Sequence, residues 1–396
     1  MINPINIQHD PEPPVVFEYT DEAEGFQGWL VIDSLKYRLS AGGMRVQEGL
    51  TREHLIDMAR NMSRKMHVAG LRINGAKCGI DYAPDSPNKE NAVTRFMQAI
   101  SPFIMTSYSM GPDLNIDMDD LEQIAAALGI PSVKMAVAKA QGWNLDYFKD
   151  RYDILHKQID GIALGRLRAG YGVSAAVIGI LDFMTVDLLQ TTVAVQGFGT
   201  LAKAALWGLH EAHIPVTAVA DKEKCIYCPD GLNIPDLLVF KTTELPPDGY
   251  SENVQLHPPD FIESINCDII VPAAVENTIT AQNASQLRVK AVVPGANLAV
   301  SHAAQEILHK QGIYVVPDFI AGCGGSLSME GLFGPRDHPT PRQVLEHVKR
   351  RMNDLVTKTL RISSDKTVLP LDAAHILISR NRNSDSDETG LKPYSI

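Results

Sequence analysis

Thr191-Thr-Val-Ala-Val-Gln-Gly-Phe-Gly-Thr-Leu-Ala202 decides the fold of half the chain. Thr191–Val195 is a short β-rich run, Gly197–Ala202 a glycine turn, and Leu201–Glu211 a helix with Leu201, Ala205 and Leu209 on one face. Gly197 permits a tight turn, Gly199 lets a backbone approach a pyrophosphate, and the helix N-terminus offers free N–H groups to an anion. Asp221 follows 22 residues after Gly199, directly behind the apolar run Val216–Ala220. There it can accept from a ribose 2′-hydroxyl and repel a 2′-phosphate, which favours NAD over NADP. Lys222 and Lys224 could offset that repulsion, so NADP is not excluded. Further apolar strands at Asp268–Val271, Ala291–Val293 and Tyr314–Val316 predict a doubly wound parallel sheet.

The chain on either side is also α/β. Strand-like segments at Pro14–Tyr19, Trp29–Leu35 and Ala41–Val46 precede a helix over Thr51–His67. An extended Leu71–Asp81, a helix over Asn91–Ile104, an extended Phe103–Ser109 and a helix over Met118–Leu128 follow. The expected division is a substrate domain over 14–165, completed by C-terminal helices over 341–380, and a Rossmann-type domain over 166–340. Residues 1–13 are read as a loose arm, 141–170 as a connector and 381–396 as a polar tail.

With 396 residues and 45 % hydrophobic content the chain can bury two cores. Lys+Arg is 36 and Asp+Glu 47, so the net charge is 36 − 47 = −11, which disfavours nucleic acid and leaves a small-molecule partner. Five cysteines without regular spacing argue against a disulfide framework, and none of the motifs makes a metal site. The start, MINPINIQHDPEPP, does not read as a signal peptide, and no apolar run approaches a membrane span, so a cytoplasmic protein off the membrane is expected.

Three polar residues stand out in the first region. Lys65 lies beside the apolar stripe of its helix. Lys77 sits among small residues in Ile73-Asn-Gly-Ala-Lys-Cys-Gly79, where a desolvated lysine suits acid–base work. Asp113 follows an extended segment in Gly111-Pro-Asp-Leu-Asn115, at a strand end where α/β sites lie.

The chain resembles the glutamate/leucine/phenylalanine/valine dehydrogenase superfamily over roughly 14–380. The resemblance is carried by Ala41-Gly-Gly-Met-Arg45, Lys65 with Lys77 twelve residues on, Gly111–Asn115, Gly170-Tyr-Gly-Val173, Val195–Gly199, Val271–Asn277, Gly295-Ala-Asn297 and Val316–Gly325. It implies NAD-dependent oxidative deamination of an L-amino acid to a 2-oxo acid and ammonia. Lys65 would grip the α-carboxylate, Lys77 would assist water attack on the imine, and Asp113 would shuttle protons. Gly42 would belong to the substrate site, and Gly197, Gly199, Thr200, Asp221, Ala273 and Asn297 to the cofactor site. A homo-oligomer is implied too.

The resemblance also describes the side-chain pocket. Glutamate-specific members carry a lysine where Ala41 stands and a serine where Met329 stands, and leucine-type members fill the positions of Ala41 and Gly111 with larger groups. A distal carboxylate would therefore be unpaired, and a bulky apolar or aromatic side chain is expected. Ala169 and Gly322 replace a threonine and an asparagine beside the nicotinamide carboxamide. Two other readings are imine reduction on a specialised metabolite and a non-catalytic dehydrogenase-fold binding protein.

Overall fold

A computed structural model describes residues 12–246, 253–335 and 337–383. Most of the expected arm and tail lies outside these residues. Among the described residues the chain forms two compact units, one of 12–66 and 72–145 and one of 67–71 and 146–383.

The first unit is built on five strands, β1 (Val15–Asp21), β2 (Phe26–Ile32), β3 (Ser40–Val46), β4 (Asn74–Asp81) and β5 (Tyr108–Pro112), in the order β1-β2-β4-β3-β5. β2 is antiparallel to β1 and β4, while β3 is parallel to β4 and β5. Its helices are α1 (Arg52–Val68), α2 (Lys89–Thr106), α3 (Met118–Ala127) and α4 (Met135–Gln141). Side chains alternate between the faces of a sheet. Met44, Val46, Ala76, Cys78, Ile80, Tyr108 and Met110 share one face and form a core with Val93, Phe96, Ile100 and Ile104 of α2. The alternate residues Ala41, Gly43, Arg45, Gly75, Lys77, Ser109 and Gly111 therefore share the other. There α1 places Leu55, Ile56 and Ala59 against Trp29 and Val31. Gly75 is required by this packing, because a Cβ there would overlap Ser63 N and Ala59 O of α1.

The expected extended run Phe103–Ser109 is corrected. α2 continues to Thr106 with Pro102 inside it, and only Tyr108–Pro112 forms the strand. Phe103, partly buried, packs against the core from the helix rather than from a strand.

The second unit begins with α5 (Leu145–Tyr152), a short hairpin of β6 (Gln158–Ile159) and β7 (Ile162–Ala163), and the long α6 (Leu164–Met184). The strands β8 (Val193–Gln196), β9 (Val216–Ala220), β10 (Cys225–Tyr227), β11 (Gln255–His257), β12 (Ile269–Pro272), β13 (Ala291–Val292) and β14 (Tyr314–Val315) form one sheet in the order β11-β10-β9-β8-β12-β13-β14. β9, β8, β12, β13 and β14 run parallel to one another, while β10 is antiparallel to β9 and β11 antiparallel to β10 at the edge. The helices after β8 are α7 (Thr200–Glu211), α8 (Ile234–Leu238), α9 (His302–Lys310), α10 (Asp318–Ala321), α11 (Gly324–Phe333), α12 (Pro341–Lys366) and α13 (Pro370–Asn383). Thr340 and Gln343 close a capping box on α12 with Pro341 in its first turn.

Two expectations change here. The boundary falls at 145/146 rather than 165/166, and α12 and α13 group with the second unit rather than the first. The connector shows why. Phe148 stacks on Phe333 at 6.0 Å, and buried Arg151 donates to the carbonyl of Leu332 at 2.8 Å and to that of Pro335. These contacts fasten α5 to α11. The second change concerns hydropathy. The 21-residue α6 is long and apolar enough to cross a membrane by length and composition, yet its apolar window is 72 % buried within the protein. It is the central helix of this unit, in contact with α7, α11 and α12.

Gly75→Ala is expected to lower the unfolding free energy by about 1–3 kcal/mol, as overpacking a close helix–strand contact does. Urea denaturation measures it, and an unchanged midpoint would contradict the packing described.

Candidate active site and dinucleotide site

The first unit gathers charge on the face away from α2. Asp113, just past the end of β5, lies 3.0 Å from Lys77 Nζ on β4 and 2.6 Å from Arg45 Nε on β3. Lys77 is only 4 % exposed. Burial alone would push the Asp113 carboxyl up, but the charges of Lys77 and Arg45 and their hydrogen bonds outweigh it and hold it at about 2. Asp113 is thus a carboxylate at neutral pH, with two cations directed at it. Gly43 makes the room: a Cβ there would come within 3.0 Å of Asp113 Cβ and 2.8 Å of Pro112 O.

The other expected substrate residues are placed by the elements of their own units. Lys65 is buried on α1, two residues beyond Ser63, whose hydroxyl accepts from Gly75 N–H at 3.1 Å. Ala41 is opposite Gly75 on β4 and Ser109 on β5. Gly42 must be glycine, since a Cβ there would overlap the Ala76 carbonyl. Gly111 is half-buried and opposite Gly43. Met329 is buried on α11 of the second unit.

Arg45 has no role of its own in the reading of the sequence, although it belongs to the quoted Ala41–Arg45 segment and shares the strand parity of Ala41 and Gly43. Cys78, beside Lys77, is a packing residue of the opposite face. It is fully buried, burial pushes its thiol up to about 12, and Tyr108 OH lies 3.3 Å from its sulfur. Among the described residues no three His, Cys, Asp or Glu side chains group as metal ligands.

In the second unit the expected cofactor residues converge on the carboxyl ends of β8, β12 and β13. Gly197 has φ +119°, and a Cβ on it would lie 2.8 Å from the Ala273 carbonyl oxygen. Gly295 is as close, its Cβ position being 2.8 Å from Ala273 Cβ. Gly199 caps α7, and no heavy atom outside its chain neighbours comes within 4 Å of where its Cβ would be. That space in front of the first-turn N–H groups of α7, beginning at Thr200, fits a pyrophosphate at the switch point of the sheet. Asn297 follows β13 in the same group of loops.

Asp221 stands at the end of β9 as expected, but its carboxylate also organises a loop. One oxygen accepts from Glu223 N and Lys224 N at 2.8 Å each, and the other from Leu245 N at 2.6 Å. Lys224 donates to the Pro246 carbonyl at 3.1 Å, and Lys222 lies 3.7 Å from Glu223 and 3.8 Å from Glu244. Sequence reading also missed Arg168, which precedes Ala169. It donates to the carbonyl of Gly325 at 3.1 Å and to Ser328 Oγ at 3.0 Å, and its Nε is buried without a partner.

Two family models match the chain. "Glu/Leu/Phe/Val dehydrogenase, dimerisation domain" matches residues 14–128, and "Glutamate/Leucine/Phenylalanine/Valine dehydrogenase" matches 161–384. Among curated relatives, a glutamate dehydrogenase of Thermotoga maritima is 30 % identical over 76 % of this chain and 71 % of its own length. An NADP-specific glutamate dehydrogenase of Synechocystis is 26 % identical over 89 % of this chain and 83 % of its own. Among solved structures, the leucine-bound hetero-hexameric glutamate dehydrogenase of Thermus thermophilus aligns with a TM-score of 0.76 at 23 % identity, covering 94 % of this chain and 89 % of that one.

Removing Arg45 takes away one of the charges that depress Asp113. Arg45→Met is therefore expected to raise the Asp113 carboxyl above its present value, read by carboxyl carbon NMR titration. The sign for stability follows: with a folded value near 2 against ~3.9 unfolded, Asp113 contributes its stability at neutral pH and loses it as pH falls through about 2. In Arg45→Met the contribution at neutral pH is smaller and its loss is complete at a higher pH. An Asp113 titration unmoved by the substitution would refute the assignment.

Proposed function

From the premise that the chain belongs to the glutamate/leucine/phenylalanine/valine dehydrogenase family, we propose that it oxidises a bulky, largely apolar L-amino acid to the 2-oxo acid and ammonia, and runs the reverse reductive amination. It is an amino-acid dehydrogenase with a nicotinamide cofactor. The observation that carries the reading is the Lys77–Asp113–Arg45 cluster beside the small wall of Ala41 and Gly111.

The geometry of the cluster and the family resemblance support the following roles. A bound nicotinamide cofactor would supply the acceptor for the hydride that leaves the substrate Cα. Lys65 holds the α-carboxylate, which fixes the orientation of Cα. Asp113, kept ionised by its two cations, accepts a proton from the substrate ammonium. Lys77, 3.0 Å from that carboxylate, positions water for attack at the imine carbon and exchanges protons through Asp113 as ammonia leaves. The same residues in reverse protonate the carbinolamine oxygen for loss of water. A non-catalytic protein would have no use for this buried arrangement of ionised groups.

NAD is the proposed cofactor. Asp221 places a negative charge at the end of β9, where a 2′-phosphate would lie, and Lys222 and Lys224 are engaged with Glu223, Glu244 and the Pro246 carbonyl. A homo-oligomer is proposed from the match to a dimerisation domain, and light scattering checks it.

A panel of L-amino acids with NAD is expected to give NADH, fastest with large side chains. Lys77→Met is expected to lower kcat about 10²–10⁴-fold, the range for loss of a positioned acid–base group. No NADH from any amino acid would refute the reading. Asp221→Ser is expected to shift the kcat/KM ratio toward NADP by at least about tenfold, since a charge contact is worth over a kcal/mol.

A further inference from the structure

Arg168 of α6 is half-buried, and no carboxylate among the described residues balances its charge. One nitrogen pins the guanidinium. Nη1 donates to the Gly325 carbonyl at 3.1 Å and to Ser328 Oγ at 3.0 Å, and Ser328 Oγ donates to the same carbonyl at 2.7 Å. The edge formed by Nε and Nη2 is unused. Nε is buried without a partner, and Nη2, also without one, is not closed off from water. A buried donor left unmade costs free energy, and a guanidinium edge offers two parallel N–H groups to an oxygen acceptor.

There is room beside that edge. Ala169, Gly322 and Gly325 are half-buried like Arg168. Outside its own stretch of helix, a Cβ on Gly325 would meet one heavy atom within 4 Å, Arg168 Nη1 at 3.8 Å. Ala169, beside Arg168 on α6, and Gly322, three residues before Gly325, add no side-chain donor.

The sheet says which part of a dinucleotide comes here. A dinucleotide lies across the switch point with one nucleotide over each half of the sheet. The order β9-β8-β12-β13-β14 puts Asp221, and with it the adenosine half, on the β9 side, so the other half lies over the carboxyl ends of β12, β13 and β14. β14 runs through α10 into Gly322 and α11. α6 joins this end to the phosphate end. A Cβ on Gly170 would overlap the Leu201 carbonyl in the first turn of α7, and a Cβ on Gly324 would lie 2.7 Å from Gly172 Cα and 2.8 Å from the Ala169 carbonyl oxygen.

We propose that the Nε–Nη2 edge of Arg168 donates to the carboxamide oxygen of the nicotinamide ring. The contact rests on the dehydrogenase reading above and adds a cofactor residue to it. The carboxamide belongs to the ring alone, so Arg168 separates the whole cofactor from its ring-less part. Its charge adds a second effect. The ring is a cation when oxidised and neutral when reduced, so a fixed guanidinium beside it favours the reduced form.

Calorimetry on the full chain tests this with NADH, NAD, ADP-ribose and nicotinic acid adenine dinucleotide, which has a carboxylate in place of the carboxamide. The wild type is expected to bind the acid analogue at least about fivefold more tightly than NAD, because a carboxylate matches a guanidinium edge better than an amide does. Arg168→Met is expected to weaken NADH about tenfold, to abolish the preference for the acid analogue, and to leave ADP-ribose within about twofold. Arg168→Lys keeps the charge without the planar edge and is expected to fall between the two. The unchanged ADP-ribose affinity also shows that the variant is folded. Three results overturn the contact while the cofactor reading stands: a wild type that binds NAD more tightly than the acid analogue, an Arg168→Met variant that binds NADH as the wild type does, or one that weakens ADP-ribose as much as NADH. The first needs no variant, so it decides the contact even if Arg168→Met does not fold. A wild type that binds neither NADH nor ADP-ribose overturns the cofactor reading and the contact together.

Discussion

The carboxylate of Asp113 is the constraint on which the first unit's site depends. It joins three adjacent strands, taking Arg45 from β3 and Lys77 from β4 while itself following β5. Two cations against one anion leave a local positive excess in a chain whose net charge is −11. The mean field of the protein therefore says little about what the site attracts. Removing one partner of such a largely buried group typically costs about 3–5 kcal/mol, so the cluster also ties the strands together.

Close backbone approach makes the cluster possible. Side chains at 43 or 75 would strike Pro112 and Asp113 in one case and the backbone of α1 in the other. The glycines of β3 and β4 therefore bring α1 and the β5 terminus close to Lys77. The second unit uses glycine differently. Gly197 is needed for its positive φ and for its nearness to the Ala273 carbonyl, whereas Gly199 keeps space open. A glycine that admits a neighbouring backbone and one that admits a ligand look alike in sequence, and only the surrounding atoms separate them.

This explains what could be read from the chain alone. The Rossmann-type unit was legible because strand, turn, helix and acid are local and evenly spaced. Lys77 and Asp113 were legible because small residues and a strand end mark them. Arg45 needed the register of β3 against β5, which parity hints at but does not fix. The last turn of α2 was missed because Phe103–Ser109 is rich in residues that also suit a strand, whereas Phe103 and Ile104 pack from the helix, which runs on to Thr106. The 141–170 segment looked like a connector because its partners, the Leu332 and Pro335 carbonyls and the Phe333 ring, lie nearly two hundred residues away. Lys134 was invisible for the same reason: its neighbours Met110 and Gly111 meet it only through the edge pairing of β5.

Edge pairing also suggests how such a pocket can change while its chemistry stays fixed. Lys77, Arg45 and Asp113 hold one another, so a change in any of them disturbs two others. Ala41 and Gly111 take no part in that cluster. A cation supplied from a segment outside the sheet can be gained or lost without moving the strands, because Pro131–Lys134 pairs with β5 through backbone groups, Met110 N and Val133 O. The proposed acid–base groups are thus carried by the parallel strands and the end of β5, while Pro131–Lys134 is a strap whose backbone anchor does not depend on its side chains.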